Sequence, residues 1–401
     1  MKDRDISRDR LFLGDLAPVL LRWAVAAAVL GFGGAAVLLA TGRGGVDRFL
    51  QGYLVGWTFF FSLSVGALFF VLLQHVTRAG WSVVVRRLAE GMAALFPVLA
   101  ILVVPILVGL PRLYEWARPG GLGHAGGPAG KATYLSPTFF TIRVIAYLAI
   151  LAALGLYYLK TSLRQDGTGD PALTLRMERA AAPCMVVFAL VVNFAAFDLL
   201  MSLDPHWYST IFGVYLFSSS VVGFFAVLPH IVHWLQHHRE LLHTVTREHF
   251  HDMGKLLFAF VVFWAYIAFS QYLLIWYGNL PEETGWFLKR QTGGWGWVSL
   301  LLVVGHFVIP FLVLISRDAK RKPHVLLLAS AWVAVMHWVD IYWLVMPEMN
   351  GGALRPSAMD VLVTVGIAGL YVAAWVLRMR KHSLVPERDP RLAESLAFEN
   401  A

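Results

Sequence analysis

HVLLLASAWVAVMHWVDIYWLVM, residues 324–346, is apolar from end to end except for a few polar side chains, and two of those, His337 and Asp340, lie deep within it. A helix rises about 1.5 Å per residue, so a stretch of this length crosses a hydrocarbon layer of about 30 Å. Counted along the helix, His337 falls near mid-bilayer and Asp340 roughly 9 Å from the outer end. The i, i+3 spacing puts both on one helix face. A charge at that depth is costly, so it faces protein and marks a proton, ion or ligand path. Histidine titrates near neutrality and burial pushes a carboxyl upward, a combination suited to stepwise proton transfer. The plainer reading is a histidine and an acid bonded to backbone or hydroxyl groups for packing alone.

Nine more segments of this kind fill the chain. The 401 residues are 58% hydrophobic and 14% charged, with a mean hydropathy of +0.64, whereas soluble chains carry about 25% charged residues. This predicts an all-α integral membrane protein, one polytopic domain over 1–401, with about ten transmembrane helices. The expected spans are 16–40, 49–74, 88–111, 139–160, 180–203, 210–236, 254–277, 296–316, 324–346 and 358–379. The first apolar run is too long for the core of a signal peptide. Of the 33 Lys and Arg, 23 fall in segments on the side of the chain ends and 8 on the opposite side, so the positive-inside rule puts both termini in the cytoplasm. The net charge of +8 is therefore topological, with no basic patch for nucleic acid. Cys184 is the single cysteine, which excludes an internal disulfide, a protein-held iron–sulfur cluster and a CxxCH haem site. The connection 112–138 reads as a flexible outer loop. The link 204–209 is so short that spans five and six form a tight hairpin. Connection 237–253 is histidine-rich and part helical, and the charged cytoplasmic tail 381–401 reads as disordered in isolation.

Other polar residues lie at depth. His306 stands near the midplane of span eight, where it would extend the His337–Asp340 column if spans eight and nine pack together. Arg143 in span four and Asp198 in span five are placed to pair in the outer half of the membrane, as a structural bridge or as part of a pocket where a quinol headgroup binds and loses protons. Asp204 and His206 lie just beyond. Glu90 precedes the apolar part of span three, as an inner access route or a solvated helix end. The proton-pathway candidates are thus His337, Asp340, His306, Asp198, Asp204 and Glu90; the quinone-pocket candidates are Arg143, Asp198, Asp204 and His206. Ser62, Ser64 and the run Ser218–Ser220 add hydroxyls. A haem held by His306 and His337 is disfavoured by the neighbouring acid. No metal site and no catalytic side chain is assigned.

The segment NFAAFDLLMSLDPHWYSTIFGVY, residues 193–215, is the most distinctive. Together with the ten spans and the MHWVDIY of span nine, it resembles the membrane subunits of alternative complex III, the bacterial quinol:cytochrome c or oxidase-linked oxidoreductase. It is most similar to the second, smaller NrfD-like (ActF-like) subunit, within the NrfD/polysulfide-reductase superfamily. The resemblance implies two four-helix bundles, spans two to five and six to nine, flanked by spans one and ten. It implies a bacterial inner membrane, and as partners a multihaem cytochrome c subunit, an iron–sulfur subunit, a larger NrfD-like subunit, small anchoring subunits and a terminal oxidase. Haems and clusters would reside in those partners; nothing is bound covalently here, and quinone or menaquinone is the one ligand in prospect. In the family the larger paralogue is the better-supported quinol oxidiser; the resemblance leaves open whether the smaller binds a quinone or serves proton movement without one. The expectation is a membrane subunit supporting redox-coupled proton translocation, without its own redox cofactor. A secondary transporter, for which Pro97, Pro105, Pro229 and Pro310 interrupt spans, and a structural scaffold are the alternatives.

Overall fold

In the computed structural model, which describes residue 6 and residues 9–120, 129–349 and 352–400, ten helices are long and apolar enough to cross a membrane. They run Leu16–Ala40, Val46–Val76, Val83–Val108, Pro137–Thr168, Ala172–Leu203, Phe212–His237, Arg247–Gly278, Trp295–Leu314, Pro323–Glu348 and Ala358–Met379. We call them spans one to ten. The chain is an all-α multi-span membrane protein. Residues 350 and 351 and most of the glycine-rich stretch 119–128 lie outside the described residues.

Spans two to five pack with one another, and so do spans six to nine; span two joins the sets by packing along span six. In their most apolar windows 89% of span two and 83% of span six is buried, against 17% of span one. Two central helices therefore carry the core. The contact between them is close because of Gly66, where an added Cβ would collide with the Ser220 carbonyl and the Phe224 side chain. Small residues let membrane helices approach until backbones touch. Spans one and ten form a pair in the same way, Gly31 lying against the backbone of Gly366 and Gly369 against Ala24 and Ala28. This pair sits outside the bundles, with span ten packed on span two.

Proline fixes where helices break. Pro97, Pro105 and Pro111 divide the third span and its extension into short segments, since each ring removes an N–H and crowds the preceding turn. Span eight opens into a π-helical turn over Leu302–Val308. Pro310, four residues beyond His306, denies that carbonyl its helical donor, and Trp332 Nε1 donates to the Gly305 carbonyl at 2.7 Å.

The segments that precede span one and follow span ten lie on one face, the near face: Leu384 N–H donates to the Leu11 carbonyl at 2.7 Å. Here the structure departs from composition. The charged tail is packed, because the near end of span three presents Arg86, Arg87 and Glu90, all buried. Asp389 pairs with Arg86, and the Ser383 carbonyl accepts from Arg87 at 3.3 Å. Ser395 Oγ donates to the Trp81 carbonyl at 2.6 Å. On the opposite, far face the outer connection is likewise anchored at its start. Tyr114 and Trp116 are buried and donate to the Leu199 and Ser202 carbonyls at 2.9 and 3.0 Å.

Candidate functional site

Among the described residues each bundle has one fully buried acid in its far half, Asp198 and Asp340. Asp198, near the end of span five, is fully buried and faces span four. Arg143 Nε and Nη2 donate to its two oxygens at 2.7 and 2.9 Å, and the Tyr147 hydroxyl adds a third bond at 2.8 Å. Arg143 Nη1 donates to the Tyr134 carbonyl at 2.7 Å, and the guanidinium lies on the Tyr134 ring at 3.7 Å and the Phe139 ring at 4.4 Å. The two parallel N–H···O bonds form the fork geometry in which a guanidinium fits a carboxylate. The expected pair forms, and its polar groups are largely occupied by one another.

Asp340 in the second bundle meets hydroxyls. The Tyr215 hydroxyl donates to Oδ1 at 2.5 Å, and Ser219 Oγ lies 2.6 Å from Oδ2. Ser219 Oγ is also 3.0 Å from His337 Nδ1, and His337 Nε2 is 2.8 Å from Ser62 Oγ on span two. Ser62 donates to the Phe59 carbonyl at 2.7 Å. Asp340, His337, Ser219 and Ser62 are all fully buried. A chain of side chains thus runs Tyr215–Asp340–Ser219–His337–Ser62 from the second bundle into the first. Of the serine run only Ser219 belongs to it; Ser218 and Ser220 bond carbonyls of their own helix. Gly223 makes room, since a Cβ there would collide with the His337 imidazole.

The order of donors can be counted. Ser62 gives its single proton to Phe59, so it accepts from His337 Nε2–H. Ser219 has one proton to give: to a carboxylate Asp340 Oδ2, with Nδ1–H of an imidazolium donating to it, or to Nδ1 of a neutral imidazole, with a protonated Asp340 donating to it. Shifting one proton along this line leaves Asp340 as carboxylate and His337 as imidazolium, with the same heavy atoms in the same hydrogen bonds. The heavy-atom arrangement is the same for both placements of the proton.

His306 stands apart from that chain. Its imidazole is fully buried in the π-helical turn, 4.2 Å from the Trp264 ring centre to centre, and neither ring nitrogen makes a hydrogen bond. Asp204 and His206 are likewise separate from Arg143. Asp204 accepts from Lys289 at 2.9 Å and from the His206 backbone N–H at 3.0 Å, while the His206 side chain is exposed. Lys289 also donates to Glu348 at 2.8 Å, as does Arg290. These residues form an ionic lattice on the far face of the second bundle. Burial tends to raise the Asp204 carboxyl, but the Lys289 hydrogen bond and charge bring it below its ordinary value. Burial pulls the Arg290 guanidinium down to about 10, against the charge and hydrogen bond of Glu348, which leaves a cation at neutral pH. Glu90 sits in a closed cluster, accepting from Arg86 at 3.2 Å and Arg87 at 3.0 Å with the tail drawn over it.

Two cavities lie near the chain, one toward each face. Tyr215 lines one of about 510 Å³ in the far half of the second bundle. Phe60 and Leu63, on either side of Ser62, line another of about 640 Å³ toward the near face, with Tyr371, His230, His233 and His237. Tyr371 and Ser64 are hydrogen bonded at 2.8 Å, and His230 Nε2 lies 3.0 Å from Ser330 Oγ. Tyr215, Tyr147 and Arg290 carry much of this arrangement and are not picked out by sequence. Tyr215 shares a helix face with Ser219, four residues on, which is the signal that finds it. No protein-family model matches the chain, and no curated protein does.

Proposed function

We propose that this chain is an integral subunit of a bacterial respiratory quinol:cytochrome c or oxidase-linked oxidoreductase of the alternative complex III kind, and that it conducts protons during quinol oxidation. Electron-carrying haems and clusters belong to partner subunits in this reading, and both chain ends face the cytoplasm. The observation that carries it is the Tyr215–Asp340–Ser219–His337–Ser62 chain, buried at span depth, with its Tyr215 end lining a cavity toward the far face. Hydroxyl and imidazole links each accept one proton while releasing another, which a fixed ion pair does not do. The resemblance of residues 193–215 supplies the kind of complex. The basic near face, rich in Lys and Arg, supports the orientation.

Asp340→Asn tests it. The amide keeps the shape and a hydrogen bond to Tyr215, but it does not exchange a proton at neutral pH. In the intact complex reconstituted into vesicles, quinol-driven proton translocation is expected to fall to background while the complex stays assembled. Translocation at the wild-type ratio of protons to electrons removes Asp340 from the pathway.

A further inference from the structure

The cavity beside Tyr215 has a form that proton conduction alone does not require. It lies between spans seven, eight and nine, and its volume of about 510 Å³ falls within the roughly 300–1,000 Å³ of small-molecule pockets. Its mouth opens sideways. Phe269 of span seven and Leu300 and Val303 of span eight line it and are 60%, 50% and 56% exposed on the apolar outer surface. A solute reaches such a mouth from the hydrocarbon and not from water. The walls are mostly aromatic and aliphatic, with a few buried polar side chains among them. Tyr215, Gln271 and Arg290 are the polar side chains buried in the lining, with Gln271 Oε1 accepting from Ser209 at 3.2 Å. Arg290 Nη1 and Nη2 are engaged with Glu348 and the Trp286 and Leu344 carbonyls, while Nε has no hydrogen-bond partner. The π-helical turn of span eight supplies Leu302, Val303 and Phe307 to the same wall.

We infer that this cavity binds the head ring of a lipid-soluble quinol, its oxygens among Tyr215, Gln271 and Arg290 and its isoprenoid tail leaving between spans seven and eight. An acyl chain matches the mouth but leaves the buried Arg290 Nε–H without an acceptor, and an unmet donor is costly. A tailed ring with two oxygens satisfies both the mouth and the donor. The consequence is positional: a bound hydroxyl stands one hydrogen bond from Tyr215, whose own proton is held by Asp340. The site lies in the second bundle and differs from the Arg143–Asp198 pocket expected from sequence. The choice of quinol as ligand rests on the proposed function; the cavity and its buried polar side chains do not.

Photolabelling tests it without turnover. The intact complex in lipid nanodiscs is illuminated with an azidoquinone bearing a decyl tail, and labelled peptides are mapped by mass spectrometry. Label is expected within residues 264–272 and 299–307, displaced by excess decylquinol and not by excess phospholipid. Ala268→Trp, which fills the mouth from a half-exposed position, should lower that label about tenfold, equivalent to about 1.4 kcal/mol of binding. Tyr215→Phe, which preserves packing, should lower it less. Label displaced equally by phospholipid identifies a lipid-tail site and overturns the inference, as does quinol-displaceable label found only around Arg143. Because labelling reads occupancy alone, it stands or falls independently of whether Asp340→Asn stops proton movement.

Discussion

Asp198 and Asp340 look alike as sequence: each is a lone aspartate in the outer half of an apolar helix. Their surroundings make them opposites. Asp198 is held by both prongs of Arg143 and by Tyr147, a fixed charge beside a fixed countercharge. Among the described residues Asp340 has no ion-pair partner, only two hydroxyls and, through one of them, an imidazole. The first arrangement locks spans four and five together through a bidentate, charge-assisted pair. The second tolerates a moving proton because each link has an equivalent bonding pattern on either side of the transfer. The difference teaches that an acid at membrane depth is informative only together with the charge of what it touches.

The sharpest way to break the comparison is to remove one partner of the locked pair. Arg143→Ala leaves the fully buried Asp198 carboxylate without its cation, and a half-removed buried pair costs about 3–5 kcal/mol. Thermal unfolding of the purified protein should shift accordingly, or the protein should fail to accumulate. Arg143→Met combined with Asp198→Leu should recover most of the loss, because the apolar pair restores packing without a stranded charge. If Arg143→Ala unfolds at the wild-type temperature, Asp198 is not a locked charge and the contrast with Asp340 collapses.

A smaller effect is expected where no charge is touched. Gly223→Ala sets a methyl against the His337 imidazole, and overpacking of this kind costs about 1–3 kcal/mol. The ring must turn or shift, which lengthens the bonds from Ser219 and Ser62 to it. Proton translocation should fall well below wild type in a protein that still assembles and still oxidises quinol. Full translocation by an assembled Gly223→Ala protein argues that protons do not pass through His337.

Much of this architecture was legible in the sequence. The ten spans follow from apolar length, and the observed ends mostly extend the expected ones by a few residues into polar flanks such as Val83–Arg87 and Arg247–Met253, because helical hydrogen bonding continues where hydropathy falls. The Arg143–Asp198 pair was legible because only one arginine lay deep enough to meet that acid. The His337–Asp340 face follows from helical spacing. Its bonding to Ser62 and Ser219 was not, since it depends on how closely spans two, six and nine approach, and that is set by Gly66 and Gly223. The π-helical turn at His306 was hidden for the same reason: Pro310 signals a break but not its shape. The packed tail was missed because its charges look solvated until the buried Arg86 and Arg87 are seen to need them.

The far-face lattice gives the weakest and most condition-dependent test, and it sharpens the comparison by supplying an ion pair open to water. The carboxyl of Asp204 is held below its ordinary value, burial being outweighed by Lys289. Its contribution to stability is therefore present above the unfolded value of about 3.9 and is lost as pH falls through the lower folded value. Lys289 is raised, burial again being outweighed, here by Glu348 and Asp204. Its contribution is present below about 10.4 and is lost as pH rises through the higher folded value. Lys289 is 45% exposed, so the whole effect is about 1 kcal/mol or less. Unfolding temperature should stay flat between roughly pH 5 and 10, then drop more steeply below pH 4 in wild type than in Lys289→Ala. Salt should shrink that difference, as ions screen exposed charges within about 10 Å at 0.1 M, while the stability lost in Arg143→Ala should not respond to salt. Identical acid limbs in wild type and Lys289→Ala would show that Asp204 is held by its backbone bonds alone.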